Sequence, residues 1–239
     1  MFKIFEKDGE EYASLDPKYK KQIIQKRYEY LLVQSNIPRF YWDIEFKDYK
    51  GENSKSNLEK VIFYAKNFKD KKFNHVHLYL YGANNSQKTA IACNIAKEII
   101  KQGYSTKFIL AGSLIDKLIK LQGYSFNEEI YNEINVLKQC DAIIIDDIFD
   151  QSKSVFWSKP ESASLIITAW DSFLREIVSS PTKLILTSNI PIDMIAKKFG
   201  ESLYHLIDRN FICLGFFDDV KIHRKKRFDN LFSFDDTNN

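Results

Sequence analysis

The sequence predicts an α/β fold in which an open parallel sheet carries helices on both faces, and three observations lead there. From residue 76 onward, short apolar runs alternate with segments of helical periodicity, the rhythm of strand–helix–strand units. One of the runs, AIIID (142–146), is apolar without alternation, as expected of a strand covered on both sides. Two runs end in polar clusters, Asp146-Asp147 and Thr187-Ser188-Asn189. In open α/β sheets that carboxyl edge is where ligands sit.

Residues 1–36 are polar and rich in Lys and Tyr, with a helix predicted over Pro17–Gln34 from the recurrence of Tyr19, Ile23, Ile24, Tyr28, Leu31 and Leu32. Residues 37–57 hold Pro38, an aromatic cluster (Phe40, Tyr41, Trp42, Phe46) and a polar turn at 50–54, and a helix follows over Leu58–Phe68. VHLYLY (76–81) reads as a strand ending at Gly82, and Lys88–Lys101 as a helix. TKFIL (106–110) is a strand, Ser113 caps a helix through Leu121, and Asn127–Lys138 is helical. After the strand 142–146 come a helix over Glu161–Val178, the strand KLILTS (183–188), a short helix over Ile192–Phe199 and a last strand, FICLGF (211–216). Phe234–Asn239 reads as a frayed tail.

Composition narrows the classes further. With 239 residues, 44% hydrophobic and 28% charged, the chain has globular proportions and length enough for a sizeable core. Disorder, collagen-like repeats and small disulfide scaffolds are excluded. Three scattered cysteines (Cys93, Cys140, Cys213) without CxxC spacing predict reduced thiols and argue against a zinc site. No apolar stretch has membrane-spanning length and MFKIFEKDGEEYASLD (1–16) lacks the apolar core of a signal peptide, so a soluble cytoplasmic protein with no membrane partner is expected. The net charge of +3 neither demands nor excludes nucleic acid.

Glycine is scarce, 8 in the chain, so each one invites inspection. Gly82, Ala83, Asn84, Asn85, Ser86, Gln87, Lys88 and Thr89 follow a strand and open a helix. They match the phosphate-loop pattern GxxxxGK(S/T) except at Gln87, which stands where the second glycine belongs. In that pattern backbone N–H groups wrap phosphates, the lysine contacts the β- and γ-phosphates, and the hydroxyl sits on Mg2+. A glutamine there must either strain or redirect the loop. Asn84 and Asn85 tolerate left-handed conformations and partly compensate. The plainer alternative is a polar strand-to-helix turn capped by Ser86.

Asp146 and Asp147 end their strand 57 residues after Thr89. One carboxylate there could hold Mg2+, usually through water, and the other could orient or deprotonate an attacking water. The alternative is a solvated Asp-Asp turn. In a parallel sheet Asn189 would lie beside both, able to position water against a γ-phosphate, although Ser-Asn-Ile-Pro also reads as an ordinary turn.

The order phosphate loop, apolar strand with Asp-Asp, then strand ending TSN-Ile-Pro resembles AAA+ ATPases, and more narrowly the DnaC/DnaI/IstB group of replicative-helicase loaders and transposition helpers. IPRFYWDIEFKDY (37–49), LAGSLIDKLI (110–119) and SSPTKLILTSNIP (179–191) are similar to segments of that group, and the likeness extends over roughly residues 35–228. The resemblance implies a three-layer αβα core around a five-stranded parallel sheet, preceded by a short helical N-terminal region. It also implies oligomers with ATP between subunits, and no complete helical lid domain. By the same resemblance Lys88 and Thr89 bind phosphate and Mg2+, Asp146 serves the metal, Asp147 is the catalytic carboxylate and Asn189 the first sensor. Arg209 falls where the group carries an arginine finger, Arg224 where it carries a second-sensor arginine, and His205 where another arginine is common.

These expectations divide the chain into an N-terminal extension (1–36) that could dock a partner, an ATPase domain (37–228) and a tail (229–239). The function expected is that of an ATP-binding helicase loader in DNA replication, a slow ATPase. Its partners would be a hexameric replicative helicase, single-stranded DNA contacted without base specificity, and copies of itself. Two basic stretches, Lys18 to Arg27 and Arg224 to Arg227, are the candidates for the DNA contact. An IstB-like transposition helper and a nucleotide-binding scaffold that has lost hydrolysis are the alternatives, the second motivated by Gln87. Compactness and composition would suit a phage or mobile element.

Overall fold

A computed structural model of the chain describes residues 2–7, 10–122, 127–150 and 163–217. The chain begins with an antiparallel hairpin, β1 (Phe2–Lys7) and β2 (Glu10–Leu15), paired from Phe2↔Leu15 to Lys7↔Glu10. The sequence predicts no strands in this segment. Helix α1 (Pro17–Gln34) follows over the expected span, with the Asp16 carboxylate accepting from Lys18 N–H and Pro17 opening the first turn. Leu32 anchors its C-terminal end in the core, whereas residues 17–27 are exposed along their whole length.

Next come α2 (Lys55–Lys66), β3 (His77–Tyr81), α3 (Lys88–Lys101), β4 (Thr106–Leu110), α4 (Ala111–Leu121) and α5 (Glu128–Lys138). The order is completed by β5 (Ala142–Asp146), α6 (Ala163–Val178), β6 (Lys183–Ser188), α7 (Ile195–Phe199), α8 (Glu201–Asn210) and β7 (Phe211–Gly215). Strands β3 to β7 form one all-parallel sheet in the order β4-β5-β6-β3-β7.

Period-two alternation assigns the strand side chains to the two faces. Ile143, Ile145, Leu184, Leu186 and Tyr79 enter a cluster with residues of α4 to α8. Ile144, Ile185, Leu78 and Leu80 enter the other with residues of α2 and α3. Every residue of β5 and β6 is buried, which is why their sequences are apolar without a polar face. Truncating one of the buried isoleucines to alanine would cost roughly 2–5 kcal/mol.

Several boundaries differ from expectation. Helix α4 starts straight from β4, with Leu110 as its N-cap residue and no side-chain cap, so Ser113 lies inside the helix and caps nothing. Ala111 and Gly112 are buried, and their small size lets the first turn press onto the core. Asn127 is the N-cap of α5, its side chain accepting from Ile130 N–H at 3.0 Å. The expected start of the sixth helix at Glu161 lies outside the described residues. Helix α8 was not anticipated. Gly200, at φ 94°, separates it from α7, and Leu203, Leu206 and Ile207 bury one face.

The lead-in before α2 is tied down by side chains bonding to backbone. Lys97, buried on α3, donates to the carbonyls of Tyr41 (2.7 Å), Trp42 (3.1 Å) and Ile44. Trp42 Nε1 donates to Ile37 O at 2.9 Å, and Phe108 N–H on the edge strand β4 donates to Ser35 O at 2.7 Å. Because β6 lies between β5 and β3, the turns that leave these three strands open at one carboxyl edge.

Candidate functional site

The loop from Gly82 to Gln87 connects β3 to α3. Gly82 has φ 144°, and a Cβ there would stand 1.8 Å from Phe216 O where the chain leaving β7 crosses over it. Only glycine fits this crossing. Asn85 (φ 65°) and Gln87 (φ 64°, ψ 17°) both take the left-handed conformation. A non-glycine residue in this conformation carries a cost on the order of 1–2 kcal/mol. The Gln87 carbonyl accepts from Ile91 N–H at 2.9 Å as the first bond of α3, and the residue makes no side-chain cap. Ser86 is not the N-cap residue; it is buried one position earlier.

Lys88 opens α3 and is only 6% exposed. Its ammonium lies 3.0 Å from Gly82 O, 2.7 Å from Ala83 O, 3.3 Å from Ser86 Oγ and 3.0 Å from Asn189 Oδ1. Four acceptors compete for three protons, so an anion entering the loop can exchange for one of them. Burial pulls the Lys88 pKa below the usual lysine value, opposed by the nearby carboxylates of Asp147 and Asp146.

Asp146 is buried at the end of β5 and receives two hydroxyl hydrogen bonds on Oδ1, from Thr89 at 2.8 Å and Thr187 at 2.6 Å. Burial raises its pKa and the negative Asp147 adds to that, while the two hydroxyls act the other way. Asp147 is half-buried with φ 57°, its N–H donating to Thr187 Oγ1 at 2.9 Å. Behind this layer Tyr79 donates its hydroxyl to Ile190 O at 2.6 Å, bracing the turn that carries Asn189.

One edge of the sheet thus gathers the loop 82–87, Lys88, Thr89, Asp146, Asp147 and Asn189 from three separate strand ends. Arg209 stands elsewhere. It is exposed at the end of α8, just before Phe211, which pairs with His77 at the start of β3. The five residues of β3 put roughly 16 Å between that edge and the loop after Tyr81. Arg209 therefore sits near the sheet edge opposite its own chain's site. His205, one turn earlier, is exposed and 3.8 Å from Glu201. Arg224 lies outside the described residues.

Chemically, the loop offers backbone amides and a buried cation to an anion. Thr89 Oγ1 and Asp146 Oδ1 offer two hard oxygens 2.8 Å apart, a donor set that fits Mg2+, which takes few protein ligands and completes its shell with phosphate and water. Thr187 was legible only as a polar strand end, and the lysine anchor Lys97 not at all, because its partners are backbone carbonyls.

No protein-family model matches the chain, and no curated protein matches it. Solved structures do. A replication initiator DnaA bound to AMPPCP and single-stranded DNA superposes with a TM-score of 0.57 at 15% identity, over 76% of this chain and 51% of that one, so the chain spans about half of that DnaA. The DnaC helicase loader gives 0.54 at 18% identity, over 75% of this chain and 99% of that one. DnaI gives 0.56 at 15% identity, over 77% and 93%. Five parallel strands between helix layers, opening into a phosphate-type loop at one edge, give this chain the α/β fold that the DnaC, DnaI and DnaA structures share.

Proposed function

We propose that the chain binds ATP with Mg2+ at this edge and acts in DNA replication as a loader of a hexameric helicase, nucleotide state switching its assembly on helicase and single-stranded DNA. One observation carries the proposal: at three strand ends around one loop, Lys88 pairs with Asn189 at 3.0 Å, Thr89 pairs with Asp146 at 2.8 Å, and Asp147 directly follows Asp146. The likeness to DnaC and DnaI supports the loader assignment at the level of the fold.

In this reading the amides of residues 83–89 and the Lys88 ammonium hold the β- and γ-phosphates. Thr89 and Asp146 would hold Mg2+, which supplies charge neutralisation for the phosphates when bound. Asp147 orients and deprotonates the attacking water, and Asn189, already 3.0 Å from Lys88 Nζ, is placed to sense the γ-phosphate. Arg209, on the far side of its own sheet, completes the site of a neighbouring copy. Catalysis is positioning and electrostatics, with a slow turnover suited to a switch. The exposed basic and apolar length of α1, with Lys18, Lys20, Lys21 and Ile24, is the proposed docking surface of the extension 1–36. The ATPase unit is 37–228 and the tail 229–239.

Calorimetry with Mg-ATP and turnover with and without single-stranded DNA, alongside Lys88→Ala and Asp147→Asn, test the reading. Binding lost in the first variant and turnover lost in the second are expected. Equal background turnover in all three proteins would remove the ATPase assignment. Affinity capture that recovers a transposase and no hexameric helicase would replace the loader by a transposition helper.

A further inference from the structure

Resting on the nucleotide reading above, we infer that Thr187 is a positioning residue: its hydroxyl and carbonyl clamp the turn after β5 in the one backbone conformation that aims the Asp147 carboxylate. Thr187 is fully buried. Its hydroxyl has one proton, given to Asp146 Oδ1 at 2.6 Å, an acceptor that as a carboxylate has no proton to return. The lone pairs therefore face the other way, and one accepts the Asp147 N–H at 2.9 Å.

The backbone around this contact is unusual. Asp147 and Phe149 both stand in the left-handed region, at φ 57° and 69°, which non-glycine residues hold only when their surroundings impose it. The turn closes on itself through Asp150 N–H to Asp147 O at 3.3 Å, and Phe149 stacks on Phe199, but three further contacts come from two consecutive residues of β6. Asp147 N–H meets Thr187 Oγ1, Ile148 N–H meets Thr187 O at 2.8 Å, and Ser188 Oγ donates to Ile148 O at 2.8 Å. The same Ser188 accepts the Gly82 N–H on its carbonyl at 3.2 Å. Strand β6 thus joins the phosphate loop and the carboxylate turn through one residue pair.

Removal of the hydroxyl leaves the Asp147 amide without its acceptor and frees the peptide to leave the left-handed region. The carboxylate then swings while the phosphate-binding groups, held by α3 and β3, stay. A displacement near 1 Å at a catalytic group is enough to cost roughly 100-fold in rate.

Thr187→Val and Thr187→Ser are compared with wild type for turnover, for KM, for the Kd of a non-hydrolysable ATP analogue, and for hydrogen exchange of the Asp147 amide. Thr187→Val should lower kcat by roughly 10- to 100-fold, with Kd and KM within about threefold of wild type, and its Asp147 amide should exchange at least about tenfold faster. Thr187→Ser keeps the hydroxyl and should restore both. A Thr187→Val protein with wild-type kcat, or one whose Kd weakens in step with kcat, overturns the inference. Should that variant not fold, Thr187→Cys takes its place with the same expected split, and full turnover in it likewise overturns the inference. Wild-type protein without turnover would instead overturn the ATPase reading, and the exchange rate of the Asp147 amide would then decide the clamp by itself.

Discussion

Thr89 and Asp146 are 57 positions apart in the chain, yet the Thr89 hydroxyl donates to Asp146 Oδ1 at 2.8 Å. The contact joins the first turn of α3 to the end of β5 and sets two hard oxygens side by side. Thr89→Val, which keeps the shape and removes the oxygen, should weaken Mg-ATP binding by about tenfold or more while leaving affinity in EDTA nearly unchanged. Titration of a fluorescent ATP analogue under both conditions reads the difference. Equal losses with and without Mg2+ would show that the pair holds no metal.

Gln87 occupies the left-handed region at φ 64° without a hydrogen-bonded side-chain cap. Gln87→Gly removes a penalty of about 1–2 kcal/mol in the folded state and adds about 0.5–1 kcal/mol of chain entropy to the unfolded one. A net stabilisation of roughly 0.5–1 kcal/mol, or about 1–4 °C in melting temperature, is expected. Gln87→Val should move the other way, because a β-branched residue tolerates that conformation worst. Thermal melts of the two variants decide it, and a Gly variant that melts below wild type would show that the loop is not strained.

The strands were the most legible part of the sequence because burial on both faces leaves them no polar alternation. TKFIL, AIIID and KLILTS match β4, β5 and β6 residue for residue. Of the site, the identities of the grouped residues were legible, since Lys88-Thr89 open a helix after a strand and Asp146-Asp147 and Asn189 stand at or just past strand ends. How they are held was not. The left-handed turn at Asp147 depends on Thr187 40 positions away. Lys97 reads as one more helix lysine until the carbonyls of Tyr41, Trp42 and Ile44 surround it. Helix α8 was hidden for another reason: ten residues with Glu201, His205, Asp208 and Arg209 exposed carry only three buried apolar positions. Tertiary contacts, and not local propensity, decide all three.

Arg209 is exposed at the sheet edge opposite the phosphate-type loop. A role in the site of a neighbouring copy implies that Arg209→Ala loses turnover by at least about tenfold while nucleotide affinity stays within a few-fold. Mixing Arg209→Ala with Lys88→Ala subunits should recover part of the activity, because some interfaces then pair an intact loop with an intact arginine. An Arg209→Ala protein that no longer binds nucleotide would place the residue in its own chain's site, against the roughly 16 Å of β3 between them.

His77 sets the behaviour of the fold in acid. Its ring is fully buried at the start of β3, with Nδ1 accepting the Leu184 N–H at 3.0 Å and Nε2 meeting no partner. Protonating Nδ1 would break the one bond the ring makes, and burial, with His75 and Lys183 nearby, lowers the pKa to about 4. The unfolded chain takes up this proton near pH 6.5, and the folded chain only near pH 4. Stability from this group is therefore complete above about pH 6.5 and lost progressively as pH falls toward 4, by roughly 3 kcal/mol in all. Carboxylates titrate at the lower end of that window too, so the informative quantity is a difference. Urea unfolding of wild type and His77→Gln at steps between pH 7 and 4 should show wild type losing its advantage, most steeply between pH 6.5 and 5. Parallel curves for the two proteins would mean that the buried ring accepts its proton without cost.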